Sequence, residues 1–265
     1  MEVIWEMSLA SLSLHPFSLK EEIWKRGGVK IPQNPREELE ALIRQGDLES
    51  LLRKAGELHG HFCPYLALGV RAGYIALKAL GVEQSRGMEE VVAIVETNNC
   101  FSDGVQMVTG CTFGNNALVY RDLGKTAVTV AKRNGTAVRI ALKAEWEDAF
   151  GSRYPEASAL FEKIVVNREE ATQTEHKKLM RLWAKSSFEQ LALPEEEVFN
   201  AEHTKIKVPP FAPIFASVRC SVCEENIMET RARVKDGKPI CLECASAEHY
   251  LLDGAGISIE KGASS

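Results

Sequence analysis

Two Cys-x-x-Cys pairs near the C-terminus constrain the fold of this chain more than any other feature of its sequence. The pairs are Cys220 with Cys223 and Cys241 with Cys244. Each pair forms a tight turn that directs two sulfur atoms at one metal ion, and the spacing between the pairs is typical of a zinc ribbon. Four thiolates fill a tetrahedral shell, so we expect a closed, structural zinc site in a module too small to hold a core unaided. A dithiol redox pair or an iron–sulfur cluster is the alternative.

The cysteine count and composition favour an intracellular protein over a secreted or membrane protein. The chain has 265 residues, of which 45% are hydrophobic and 26% charged, and its cysteines number seven, an odd count for a disulfide framework. No apolar run reaches the roughly 18 residues of a membrane span, and the first residues lack the pattern of a signal peptide. We therefore expect a cytoplasmic protein with no membrane segment.

Helix and strand patterns predict an α+β fold in which helices cover an antiparallel sheet. Asp47 is placed to cap a helix, and Pro64 to begin another that ends at Gly81. Residues 91–95 form an apolar run of strand length, and Asn134-Gly135 lies between two strand-like segments as a hairpin turn.

A second group of metal-binding residue types lies in the segment that joins two predicted helices. It contains His59, His61 and Cys63. If Pro64 begins a helix, Cys63 is its N-cap, where free N–H groups and the helix dipole favour a thiolate that can ligate a metal or act as a catalytic nucleophile. Imidazole and thiolate ligands suit zinc, nickel or iron. The alternative interpretation is two surface histidines beside a buried cysteine.

Three further residues are candidates for the same site. Cys100 and Asp103 lie in a loop between a strand and a possible helix, where functional side chains are common, and Cys111 lies in a stretch of small residues. Cys100 and Cys111 are candidate ligands, with a free buried cysteine as the alternative for each. Asp103 is a candidate catalytic acid, with a helix N-cap as the alternative.

Four segments together resemble the family of the formylmethanofuran dehydrogenase E subunit. They are the HGHFCPYLALGVRAG segment, the Cys100-x-x-Asp103-x-x-Gln106 segment, the TGCTFG segment and the terminal cysteine module. The resemblance implies an α+β domain with an antiparallel sheet, a metal bound by motif Cys and His residues, a homodimer, and a zinc ribbon. Tyr65 stands where relatives commonly have glycine, which changes the mouth of any site.

The motifs divide the chain into five expected segments. These are an N-terminal arm at residues 1–35, a metal-binding α+β domain at 36–207, a proline-rich linker at 208–217, the zinc ribbon at 218–250 and a tail at 251–265.

Three functional hypotheses follow. The first is a metal-binding protein in which Cys63, Cys100 and one or both histidines hold a second metal, with an exchangeable position for a small-molecule substrate. The second is an accessory, docking or metal-trafficking protein for a molybdenum or tungsten oxidoreductase partner. The third, a nucleic-acid-binding regulator, is disfavoured, because the net charge is −5 and the basic residues of the cysteine module alternate with acidic ones.

Overall fold

The computed structural model describes residues 34–262, so the predicted N-terminal arm lies almost entirely outside the described residues. Eight α-helices lie in this range: α1 Glu37–Gln45, α2 Leu48–His59, α3 Pro64–Leu80, α4 Cys100–Thr109, α5 Ala144–Arg153, α6 Pro155–Phe161, α7 Gln173–Gln190 and α8 Glu195–Val198. A π-helical turn, Glu162–Val166, follows α6. No helix within residues 34–262 has both the length and the apolar character that crossing a bilayer requires.

Eleven β-strands lie in the same range. They are β1 Val91–Val95, β2 Leu118–Tyr120, β3 Ala127–Lys132, β4 Thr136–Leu142, β5 Phe199–Lys205, β6 Ser217–Arg219, β7 Asn226–Met228, β8 Arg233–Lys235, β9 Lys238–Ile240, β10 His249–Asp253 and β11 Gly256–Glu260. The first five form one sheet in the order β2-β1-β3-β4-β5.

Local sequence fixes the ends of the helices that lead to the His/Cys segment. The Asp47 carboxylate accepts a hydrogen bond from the Ser50 N–H at 3.0 Å and caps α2, which ends where Gly60 adopts a left-handed conformation with φ 89°. Helix α3 begins at Pro64, as predicted, because the missing N–H of proline is not needed in the first turn. The sequence between these two ends, His59 to Cys63, is thereby held as a short connection.

The main sheet confirms the α+β prediction and adds one parallel pair. Strands β3 and β4 form the hairpin predicted at Asn134-Gly135, and β4 pairs with β5, also antiparallel. Strand β1 pairs antiparallel with β3 but parallel with the short β2, through Ala93 and Leu118. The parallel pair places the loop after β1 and the end of β2 at one edge, since the carboxyl ends of parallel strands meet there.

Helix α3 lies at the centre of the core and contacts α4 at unusually short range. A Cβ atom added at Gly69 would lie 2.0 Å from the carbonyl oxygen of Phe101, and one added at Gly104 would lie 2.4 Å from that of Leu66. Both glycines therefore permit a backbone approach that no larger residue allows. This contact joins the first turns of α3 and α4, which carry Cys63 and Cys100.

The cysteine module is almost without a core. Within residues 217–248 the structure buries only Cys220 and Ile240, at 1% and 4% exposure. Two hairpins, β6–β7 and β8–β9, carry the two Cys-x-x-Cys turns, and Asp236-Gly237 forms the turn of the second. A module of this kind needs a metal in place of a core.

Two segments next to the module differ from a simple linker and tail. Residues 206–216, with no helix or strand, are held to the main domain by Arg133, which donates to the Pro209 carbonyl at 2.6 Å and lies 3.9 Å from the Phe211 ring. The tail expected from residue 251 is instead largely a β-hairpin, β10–β11, whose strands pair from His249 with Glu260 to Asp253 with Gly256.

Candidate metal centre

The ends of three helices bring the predicted histidines and two cysteines together. His59 is the last residue of α2, Cys63 is the N-cap of α3, and Cys100 is the first residue of α4. One ligand atom from each of His59, His61 and Cys63 lies within 4.8 Å of the others. Donors that share one metal at about 2.0–2.3 Å lie no farther apart than about 4.6 Å, so this set comes within reach of a single ion after a small adjustment.

A carboxylate on α4 orients His59. The Nδ1 atom of His59 lies 2.7 Å from Oδ2 of Asp103, which is 44 residues away in sequence, and Nε2 lies 3.8 Å from Sγ of Cys63. A carboxylate on one imidazole nitrogen favours the tautomer in which the other nitrogen has a free lone pair. His59 is thus arranged as a metal-ligating histidine, with its lone pair directed at the Cys63 side.

The two thiols of the cluster interact and differ in acidity. The Cys63 thiol is hydrogen-bonded to Cys100, and this bond together with burial raises the pKa of Cys63. The same bond, together with His59, lowers the pKa of Cys100. The sequence predicts that the helix N-terminus favours a thiolate at Cys63, and backbone N–H groups of Tyr65 and Leu66 do act in that direction. Their effect is smaller, so in the metal-free pair the thiolate lies on Cys100.

Aromatic side chains form the walls of the cluster. The His61 ring lies 4.4 Å from the His59 ring and 5.6 Å from the stacked indole of Trp183 on α7, centroid to centroid. Burial is the main cause of the lowered pKa of His61, followed by the neighbouring His59. A neutral imidazole is the form that ligates metals. On another side, the Tyr65 hydroxyl donates to the Glu147 carboxylate.

The four cysteines of the terminal module form a separate, more symmetrical cluster. The sulfur atoms of Cys220, Cys223, Cys241 and Cys244 all lie within 4.8 Å of one another. Backbone N–H groups point at them, for example Cys241 N at 3.3 Å from Sγ of Cys220 and Cys244 N at 3.2 Å from Sγ of Cys241. Such bonds, first among them that from Cys223, lower the pKa of Cys220 to about 6. The arrangement fits a tetrahedral ion with four thiolate ligands.

Family comparison decides the class of the main domain. The model of the family described as "FmdE, Molybdenum formylmethanofuran dehydrogenase operon" matches residues 58–200, which is more than half of the chain and contains every predicted central-site residue. The chain belongs to the FmdE family. A second family, the prokaryotic dksA/traR C4-type zinc finger, matches residues 213–249, so the terminal module is a four-cysteine zinc finger with a structural zinc site.

Two known proteins resemble this FmdE-family chain. A "Probable S-adenosyl-L-methionine-binding protein" of Archaeoglobus fulgidus is 44% identical over 217 residues, a match that covers 80% of this chain and 57% of that protein. The chain thus spans little more than half the length of this relative. The crystal structure of an FmdE-like protein of tungsten formylmethanofuran dehydrogenase from Syntrophus aciditrophicus is 24% identical, with a TM-score of 0.47, over 75% of this chain and 91% of that one.

Not every predicted site residue of the FmdE domain lies in the cluster. Cys111 is fully buried, donates its S–H to the Val91 carbonyl at 3.4 Å and has a pKa raised by burial to about 11, as expected of a free core cysteine. Asp103 does not cap α4, since the N-cap is Asn99, whose side chain accepts from the Phe101 N–H. Asp103 instead contacts His59.

Two residues near the cluster cannot be identified from sequence. Trp183 lies on α7, far along the chain from His61, and Glu147 on α5 accepts from Tyr65 across 82 residues. No local motif marks either residue. The only signal for Trp183 is that it is an aromatic residue within a long predicted helix.

Proposed function

We propose that this FmdE-family protein binds a second metal ion at the central cluster, with three protein ligands and one exchangeable position for a small molecule. His59, His61 and Cys63 would hold the ion. The observation that carries the proposal is that these three side chains present their ligand atoms within 4.8 Å of one another, beside an orienting carboxylate. The soft and borderline donors suit zinc, nickel or iron.

Cys100 supports an exchangeable fourth position. Its thiol contacts both Cys63 and His59, yet it is not one of the three residues whose ligand atoms lie within 4.8 Å of one another. It therefore stands beside the site, where it completes the coordination in the resting protein or yields to an incoming molecule. A site with three protein ligands and one replaceable ligand is the arrangement of catalytic rather than structural metal centres.

Asp103 and Trp183 would keep the site in this geometry. The Asp103 carboxylate accepts the Nδ1 proton of His59 and holds the ring in one orientation. Trp183 covers the face of His61 and reduces contact of that ring with water. When bound, a metal with an open position supplies Lewis-acid activation of a small molecule or of water.

The decisive experiment compares two cysteine variants by metal analysis. Full-length protein purified without chelator should contain two metal ions per chain, one in each cluster. In Cys63→Ala the central ion should be lost while the zinc of the terminal module stays. In Cys100→Ser the central ion should stay, with an affinity lowered by about tenfold or less.

Two results would contradict the proposal. One metal ion per chain in the unaltered protein would leave only the zinc finger. Complete loss of the central ion in Cys100→Ser, equal to that in Cys63→Ala, would make Cys100 an obligatory fourth ligand and the site a closed one. His203→Asn is a matched control, because this histidine lies on exposed β5 and should leave both ions in place.

S-adenosyl-L-methionine is a candidate for the small molecule. The 44% identity to the Archaeoglobus fulgidus protein, whose name specifies this ligand, favours testing it first. Equilibrium dialysis of the unaltered protein against S-adenosyl-L-methionine should show saturable binding, reduced in Cys63→Ala if the ligand reaches the metal. Absence of saturable binding would remove this ligand and leave the metal proposal to the cysteine variants.

A further inference from the structure

A cavity next to the central cluster is formed jointly by the FmdE domain and the C-terminal hairpin. Its volume is about 270 Å³, and it lies between α4, the end of β2 and the turn of β10–β11. Phe113, Leu118 and Leu252 provide apolar surface, and the side chains of Asn98 and Gln106 add hydrogen-bonding groups. An apolar hollow with a few polar groups is the usual form of a small-molecule site.

The charge of the cavity wall restricts the ligand. Among the described residues that line it, two are acidic, Asp103 and Asp253, and none is basic. A carboxylate or phosphate ligand would meet like charge without a compensating cation. An amine or another organic cation would gain from both carboxylates.

The hairpin that closes the cavity is fixed to the FmdE domain rather than loosely attached. The Asn98 side-chain amide donates to the Asp253 carbonyl at 2.6 Å, and the Ile257 N–H donates to the Asp122 carboxylate at 2.8 Å. Gly256 has φ 109°, and a Cβ atom there would lie 2.4 Å from the same carboxylate. The turn of the hairpin therefore depends on glycine for its position against Asp122.

Asp103 belongs to both sites. One of its oxygens contacts Nδ1 of His59, the other accepts from the Gln106 side chain at 3.1 Å, and the residue lines the cavity. A cation in the cavity would thus contact the carboxylate that orients a proposed metal ligand. The cavity and the central cluster are neighbours through this one side chain.

We propose that this cavity binds a small organic cation, an amine joined to an apolar or aromatic group, with the charged end at Asp103 and the apolar end against Phe113 and Leu252. The inference rests on the proposed function and deepens it, because it places the small molecule beside the metal site and gives its chemical class. It does not require the metal for binding.

The test uses two probes that differ in charge and share a phenyl ring on a short linker, 2-phenylethylamine and 3-phenylpropionate. In ¹H–¹⁵N spectra of the full-length protein, the amine should shift the signals of the Asn98 and Gln106 side chains and of the 252–254 backbone, with a dissociation constant of about 1–10 mM for so small a fragment. The carboxylate should shift none of them.

Two leucines on one strand provide the matched variants. Leu252 lines the cavity, whereas Leu251, its neighbour on the opposite face of β10, does not, and their exposures are 40% and 38%. Leu252→Trp should fill the cavity and weaken amine binding at least about tenfold. Leu251→Trp should bind the amine as the unaltered protein does.

Metal analysis of the same samples separates this inference from the proposed function. Amine binding in protein that lacks a central ion would support the cavity and contradict the metal proposal. Equal binding of the two probes, unchanged binding in Leu252→Trp, or no amine binding at about 10 mM would overturn the cavity proposal, whatever the metal content.

Discussion

The zinc-finger module and the FmdE domain of this chain both gather cysteine side chains, but on opposite physical foundations. In the module nearly every side chain is exposed, including Val222 at 63% and Val234 at 77%. In the FmdE domain Cys63 lies at 4% exposure within a continuous apolar core built on α3. The module depends on its metal for its fold, whereas the central cluster receives its geometry from a fold that exists without metal.

This difference teaches how regular ligand spacing relates to function. The module repeats one local turn twice, so four identical ligands converge and no position is open. The central cluster draws unlike ligands from three helix ends and leaves one thiol at its margin. Metal removal should therefore unfold one region and only empty the other.

Loss of a module ligand should give the largest effect. In Cys241→Ser we expect release of the zinc and unfolding of residues 217–247, since metal binding supplies on the order of 10 kcal/mol to small modules of this kind. Zinc stoichiometry and limited proteolysis would measure this, with circular dichroism of the helices as the control for the FmdE domain. Full zinc content together with protease resistance in that segment would mean that the module folds on other interactions.

The helix contact that supports the central cluster should give the next largest effect. Gly69→Ala places a Cβ atom 2.0 Å from the Phe101 carbonyl oxygen, an atom of backbone that cannot move aside. We expect a loss of about 3 kcal/mol in the free energy of unfolding, with a lower occupancy of the central metal as α3 and α4 separate. Urea denaturation and metal analysis measure the two effects.

Gly151→Ala is the matched control for this variant. Gly151 is also helical, but a Cβ atom there would have nothing within 4 Å. Its replacement should leave the domain unchanged or stabilise it by up to about 1 kcal/mol. If the two variants behave alike, the close contact of α3 with α4 does not determine the stability of the domain.

The regular features of both regions could be predicted from sequence, because each lies within one stretch of chain. The Cys-x-x-Cys spacing, the Pro64 helix start and the Asn134-Gly135 turn all depend on neighbouring residues, and the structure has all three. The contact of Asp103 with His59 depends instead on how α3 crosses α4, which no local pattern specifies. The hairpin β10–β11 was detectable, since Asp253-Gly254 separates two short apolar runs.

Neutralising Asp103 should have an intermediate effect, confined to the central site. Asp103→Asn keeps the size of the side chain but weakens its bond to Nδ1 of His59, and losses of this kind cost about 10–100-fold in metal affinity. Competition with a chromophoric chelator measures the affinity. The zinc of the module should be unaffected, and Asp148→Asn, an exposed aspartate on α5, should change neither ion. An unaltered central affinity in Asp103→Asn would mean that His59 needs no orienting carboxylate.

The smallest expected effect concerns an ion pair of the FmdE domain. Both oxygens of buried Glu96 accept from Arg139, at 2.8 and 2.7 Å, and this pairing lowers the pKa of Glu96 below its ordinary value of 4.5. A carboxyl group whose pKa is lowered on folding stabilises the folded state above its unfolded pKa, and that stability is lost as the pH falls through the lower, folded value.

Replacing this glutamate should therefore alter acid sensitivity in the FmdE domain alone. We expect Glu96→Gln to lower stability by about 1 kcal/mol near neutral pH, because Arg139 is partly exposed and keeps some contact with water. The difference from the unaltered protein should shrink below about pH 4.5, where the natural side chain also becomes neutral. Urea midpoints across this range would show it, whereas acid release of zinc from the module should follow the same curve in both proteins, since thiolate protonation governs it. A constant difference at every pH would show that Glu96 acts through its shape and hydrogen bonds rather than through its charge.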